Sequence, residues 1–269
     1  AKSGYGLTVE DEIKSLRVIK RLNEKLPIDI VPTFMGAHAF PPEFSNDHDG
    51  YVDLVCNEMI PEVAKQNLAV FCDVFCEKGY FTLDQSRRIL ECGIKYGLIP
   101  RLHADEFIDS GAAQLASEIK AISADHLMAV SDDGILSMKK NKVIATLLPG
   151  TTFYLGKNSY ANGRKIADAG IDIAIATDFN PGSCTLQSMP IVMSLSVLYC
   201  GLTISEAFCG ATWNSAKSIN LSNKVGLIES GYDADLIIWN CNHLEEIPYW
   251  LGSDRIMSVM KAGEIIYEK

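Results

Sequence analysis

The segment Arg101-Leu102-His103-Ala104-Asp105-Glu106 follows an apolar run, Gly97-Leu98-Ile99-Pro100, and leads into a polar break, Asp109-Ser110-Gly111. It reads as a buried strand whose far end carries the polar groups. An imidazole and a carboxylate this close at a strand's exit suit a metal ligand with a proton-handling partner. Alternation puts His103 and Asp105 on one face. Glu106 joins His103 only if the backbone turns just after the strand. The plainer alternative is a surface carboxylate beside a structural histidine.

Other residues of the same chemical kind recur downstream. Asp178 ends the apolar run Asp172-Ile173-Ala174-Ile175-Ala176-Thr177. A carboxylate there must be paired, metal-bound or facing water, because burying it bare is costly. We read it as a metal ligand that also takes a proton from water; the alternative is a helix N-cap. Asn180-Pro181-Gly182-Ser183 offers an amide, a loop glycine and a hydroxyl. It suits a carboxylate or amidine-like group, or forms a plain turn. His38 and His126 end predicted strands as His103 does, whereas His48 and His243 read as solvated. Tyr5, between two glycines, reaches a site or simply packs. Asp73 and Glu77 are ambiguous from sequence.

These residues need a frame that brings strand ends together. Strands are predicted to end near residues 5, 38, 76, 103, 126, 149 and 178. Helices alternate with them: one capped by Thr8, then 51–65, Thr82 to Tyr96, 112–119, 132–139 and 162–169, with two more near 187–200 and 203–217. Such alternation means parallel strands with crossover helices. No GxGxxG follows the first strand, which argues against a dinucleotide fold. Polar residues at the C-terminal ends of several strands fit an α/β fold of the (β/α)8 TIM-barrel type. Seven visible strands, numbers 2–8, put a missing first strand before residue 1. From Val225 the texture changes to two short strands around a glycine turn and a hairpin bent at Ala262-Gly263. The expected division is a catalytic barrel over 1–222 and part of a small β-sandwich over 223–269.

The totals exclude several classes. The chain has 269 residues, 48% hydrophobic, and a net charge of −10. That charge argues against nucleic-acid partners and against anionic membrane surfaces. The longest apolar stretch, Met189 to Leu202, is broken by serines and a proline, so no membrane span is expected. Eight cysteines scattered in apolar runs without a CxxC pair read as reduced, buried thiols of a cytoplasmic protein.

Taken together, Lys2-Ser3-Gly4-Tyr5-Gly6-Leu7, Thr33 to His38, Asp73 to Glu77, His103-Ala104-Asp105-Glu106 and Thr177 to Ser183 resemble the imidazolonepropionase family of metal-dependent amidohydrolases. The resemblance implies one Zn or Fe ion per subunit and hydrolysis of a cyclic amide of histidine degradation, 4-imidazolone-5-propanoate. It implies His103 and Asp178 as metal ligands, and Glu106 as a substrate-binding residue that shuttles a proton. His126 would orient or polarise the attacking water. Tyr5, His38, Asn180, Gly182 and Ser183 would hold substrate or product. By analogy with the family, a homodimer is expected. The family's His-x-His ligand pair does not occur here, so two further histidines are expected upstream of residue 1. The polypeptide by itself is expected to bind metal weakly and to be inactive. Two rivals remain at this point: a deaminase of the same superfamily, and a non-catalytic barrel binding an imidazole-type metabolite.

Overall fold

The computed structural model describes residues 1–269 and separates into two compact units, Ala1–Val143 and Ile144–Lys269. The first unit runs α1 (Val9–Lys25), β1 (Thr33–Ala37), α2 (His48–Leu54), α3 (Ile60–Lys65), β2 (Phe71–Cys76), α4 (Leu83–Lys95), β3 (Ile99–Ala104), α5 (Ala112–Glu118), β4 (Ser123–His126) and α6 (Asp132–Asn141). Its strands are parallel and neighbour one another in chain order. The strand expected near residue 5 is reduced to a parallel bridge between Lys2 and Thr33.

Local chemistry explains these elements. The Thr8 side chain accepts a hydrogen bond from the Asp11 amide, three acidic residues occupy the first turn of α1, and Ile13, Leu16 and Ile19 face inward. Thr82 and Gln85 form a reciprocal capping box at the start of α4. All six residues of β2 are buried, as expected for a parallel strand covered on both faces. The single helix expected over 51–65 differs in detail. It starts earlier, at His48, on the Asp47 cap, and widens into a π turn over Val55–Met59. Pro61, which has no amide hydrogen to donate, sits just beyond that turn.

The second unit runs β5 (Ile144–Leu147), α7 (Pro149–Tyr154), α8 (Gly163–Asp168), β6 (Ile173–Ile175), α9 (Met189–Cys200), α10 (Ile204–Ala211), α11 (Trp213–Ser218), β7 (Leu236–Trp239), α12 (Glu246–Tyr249), β8 (Ile256–Lys261) and β9 (Glu264–Glu268). β5 and β6 pair in parallel, and β7, β8 and β9 form an antiparallel sheet. Ala262 and Gly263 turn the β8–β9 hairpin, both with positive φ. Three expectations are corrected. Pro149-Gly150 does not merely close a strand but opens α7, with proline in the first turn, where its missing N–H costs nothing. The helix expected over 203–217 breaks at Thr212, giving α10 and α11. The strand expected at Val225 is a turn: the amides of Lys224 and Val225 both donate to Leu221 O, and Gly226 lies against Trp213 and Ala216.

No helix is long and apolar enough to cross a membrane. All eight cysteines are free thiols; Cys72, Cys76, Cys184 and Cys200 are buried, but Cys56, Cys92, Cys209 and Cys241 are only partly so.

Candidate active site

His103 sits on β3 in register with Phe75 of β2 and Asp125 of β4. Its Nδ1 lies 2.9 Å from Asp73 Oδ1. A carboxylate there makes Nδ1 the protonated nitrogen and leaves Nε2 for a ligand. Asp73 in turn belongs to a network of opposite charges. Lys2 Nζ donates to Asp73 Oδ2 at 2.7 Å and to Asp125 Oδ2 at 3.0 Å, and Arg101 Nη2 donates to both oxygens of Asp125. Burial pushes both carboxyls up. For Asp73, the neighbouring His103, Lys2 and Arg101 prevail and hold it well below the usual range; for Asp125, Arg101 and Lys2 do the same.

Asp73, His103 and Asp125 bring ligand-type atoms within 4.8 Å of one another. Two cations already face those carboxylates, so the trio works as a neutralised scaffold rather than as three ligands. Of the three, His103 is the residue that could hold a metal ion, through Nε2, and Asp73 would then be the outer partner that orients its ring.

The loop after β3 decides where Glu106 goes. Asp105 adopts φ of 50°, in the left-handed region, so strand alternation ends at Ala104. Asp105 therefore does not share a face with His103 as expected. Its carboxyl instead accepts hydrogen bonds from the amides of Ser110, Ala112 and Ala113, tying down the start of α5. The turn carries Glu106 to His126, with Oε2 3.6 Å from Nε2. His126 and Leu127 also have positive φ, 81° and 64°. Such strain in bulky residues at a strand exit is typical of functional sites. Buried Glu77, at the exit of β2, accepts from the Phe107 amide at 2.8 Å and so fixes the loop beyond Glu106.

A row of rings joins the strand exits of this unit. Centroid distances are 5.1 Å from Tyr5 to His38, 6.1 Å from His38 to Phe75, 5.5 Å from Phe75 to His103 and 5.2 Å from His103 to His126. Tyr5 is 58% exposed and touches His38 edge-on. His48 is exposed, as expected, but stacks on Phe40 at 3.8 Å.

In the second unit, β6 ends at Ile175, before Asp178. Asp178 therefore does not end the strand itself but lies beyond it, with φ of 52°. It caps no helix: the next one, α9, begins at Met189 on Ser188. Thr151 Oγ1 donates to Asp178 Oδ2 at 2.6 Å. The Asn180 side chain is used within its own loop, accepting from the amides of Gly182 and Ser183 and donating to Asp178 O. Gly182 is exposed, and Ser183 Oγ lies 3.2 Å from Asn180 Oδ1.

The first unit thus brings together His103, Glu106 and His126, and separately pairs Tyr5 with His38; Asp178, Asn180, Gly182 and Ser183 belong to the second. Asp73 and Glu77 were left unassigned by sequence reasoning. Asp73 lies on β2 and Glu77 just beyond it, and the partner of each is distant in sequence.

The family model described as "Amidohydrolase family" matches residues 90–266. The chain belongs to the amidohydrolase family. Curated relatives of this amidohydrolase include the imidazolonepropionases of Geobacillus kaustophilus and Brevibacillus brevis, each 51% identical over 99% of the chain. The chain spans 62% of the length of each. Among solved structures, a guanine deaminase from C. acetobutylicum with bound guanine is similar with a TM-score of 0.72 and 19% identity, covering 97% of this amidohydrolase and 70% of that chain. At that identity the likeness concerns the fold. It agrees with the expected α/β architecture of the TIM-barrel type, in which parallel strands alternate with helices.

Proposed function

We propose that this chain is the larger part of an imidazolonepropionase, which hydrolyses the ring C–N amide bond of 4-imidazolone-5-propanoate to N-formimidoyl-L-glutamate. The observation that carries the reading is the 51% identity to two proteins of that name, sustained over 99% of the chain. The approach of Glu106 to His126 beside an oriented His103 supports it chemically.

In this reading His103 and Asp178 are metal ligands, and the ion is Zn or Fe. When bound, such an ion makes water acidic enough to react near neutral pH. Asp178 takes a proton from the attacking water, and oxygen bonds to the ring carbonyl carbon. His126 steadies the negative charge that develops on the carbonyl oxygen. The C–N bond breaks, and Glu106 delivers a proton to the departing nitrogen. Tyr5, His38 and the Asn180–Ser183 loop hold the substrate. Asn180 would do so through the loop shape it enforces, since its amide already bonds within the loop. A barrel over 1–222 and a β domain over 223–269 complete the assignment, together with a homodimer. Eight free thiols are in keeping with a reducing, cytoplasmic setting.

The test is Glu106→Gln in the protein expressed from its complete reading frame. Metal content should stay at the wild-type level while turnover of the imidazolone, followed in the ultraviolet, falls about 100-fold or more. Turnover within a few-fold of wild type would remove Glu106 from the chemistry. Release of ammonia without loss of the imidazolone would replace the reading with a deaminase.

A further inference from the structure

Glu12 stands out among the buried groups that the reaction does not use. It is fully buried on the inner face of α1. One of its oxygens, Oε1, accepts three backbone hydrogen bonds, from Gly4 at 3.1 Å, Gly6 at 3.0 Å and Leu7 at 3.1 Å. The other, Oε2, is buried without a hydrogen bond. A carboxylate taken this far from water has been placed at a cost, and what it holds is the turn that carries Tyr5.

That turn cannot hold itself. Gly4 and Leu7 have φ of 113° and 58°. A Cβ on Gly4 would lie 2.7 Å from Met35 O, and one on Gly6 would lie 2.5 Å from Asp11 Cβ. The backbone is pressed against its neighbours on both sides of Tyr5, and the three amides converging on Glu12 keep it there.

The contact extends one residue further. Gly4 O lies 2.7 Å from His38 Nδ1. A carbonyl only accepts, so Nδ1 carries the proton in that bond, and Nε2 of the neutral ring is left as an acceptor. Gly4 is therefore gripped on both sides, with its N–H on Glu12 and its C=O on His38. Tyr5 meets the His38 ring edge-on at 5.1 Å.

We propose that Glu12 is a positioning residue that acts through Gly4 and the turn it opens to set Tyr5 and to hold His38 with Nε2 as a hydrogen-bond acceptor, so that the pair receives an N–H of the substrate ring. This rests on the reading of Tyr5 and His38 as substrate-holding residues. Glu12 itself touches no substrate.

The experiment uses the protein from its complete reading frame, with 4-imidazolone-5-propanoate as the probe, and the variants Glu12→Ala, Glu12→Gln, His38→Ala and the double variant Glu12→Ala/His38→Ala. Glu12→Ala should raise KM about tenfold with kcat changed by less than about threefold. Glu12→Gln keeps an acceptor oxygen and should recover most of the loss. The double variant should lose less than the sum of the two single losses, because Glu12 acts partly through His38. Imidazole ¹⁵N shifts should show His38 protonated at Nδ1 in the wild type and mixed in Glu12→Ala. If Glu12→Ala does not fold, Glu12→Gln carries the test, with a KM rise of about threefold expected. Folded variants with unchanged KM, a loss confined to kcat, or fully additive effects would overturn the proposal. A wild type inactive on the imidazolone would sink the functional reading instead, and the ¹⁵N spectra would still decide whether Glu12 sets the His38 tautomer.

Discussion

Asp73 Oδ1 and His103 Nδ1 are 2.9 Å apart across neighbouring parallel strands, and the contact is buried. It fixes the ring plane and tautomer of the histidine expected to bind metal. Asp73→Asn should weaken Zn binding about 10–100-fold, as loss of an outer-shell partner does. Competition with a chromogenic chelator measures this without turnover. The same change takes one charge from Lys2, which keeps Asp125, so the stability cost should fall near the lower end of about 3–5 kcal/mol.

Asp105 combines a left-handed backbone with hydrogen bonds to the start of α5. Asparagine tolerates that backbone and keeps an acceptor, whereas alanine does neither. Urea unfolding should show Asp105→Ala about 2–4 kcal/mol less stable than wild type and Asp105→Asn much closer to it. Equal losses would mean that the hydrogen bonds, not the backbone, carry the whole effect.

Thr151 is buried and donates to Asp178 Oδ2. Thr151→Val keeps the shape and removes the donor. Stability should fall by about 1 kcal/mol, while metal affinity falls about tenfold or more. A calorimetric Zn titration beside a melting curve separates the two. An unchanged affinity would show that Asp178 does not depend on this contact.

Glu206 gives the clearest pH signal. Hydrogen bonds from Arg164 act most strongly; against the upward push of burial, and helped by those from Thr203 and by the Arg164 charge, they hold its carboxyl at about 2, below the ordinary 4.5. A depressed folded-state pKa means that its contribution is complete above pH 4.5 and is lost as the pH falls towards 2. The melting temperature of the wild type should therefore drop more steeply across that window than that of Glu206→Gln. Parallel curves would mean that solvent and salt screen the pair into insignificance.

Caps and strands were legible because their causes are local. Thr8 and Thr82 cap helices through residues three positions ahead, and β2 is a short, largely apolar run. The turn at Asp105 was not legible. From the sequence Asp105 continues the strand; in the structure it leaves it, because α5 offers amides that an alternating side chain could not reach. Thr212, which splits α10 from α11, and Pro149, which starts α7, show the same limit: each breaks the pattern where packing decides its partner.

The order of residues alone determined which groups were available: His103, Glu106 and His126 at strand exits, and the motifs that resemble the amidohydrolases. Periodicity and capping reach only a few residues along the chain, and those signals are enough to mark strand ends. Only the tertiary structure decided what each group leans on. Asp73 meets His103 across 30 residues of chain, Glu77 meets Phe107 across another 30, and the Gly4 carbonyl meets His38 across 34. Those partners are set by strand register and by the need to satisfy buried charge and backbone amides, and neither condition is written in the spacing of any one segment.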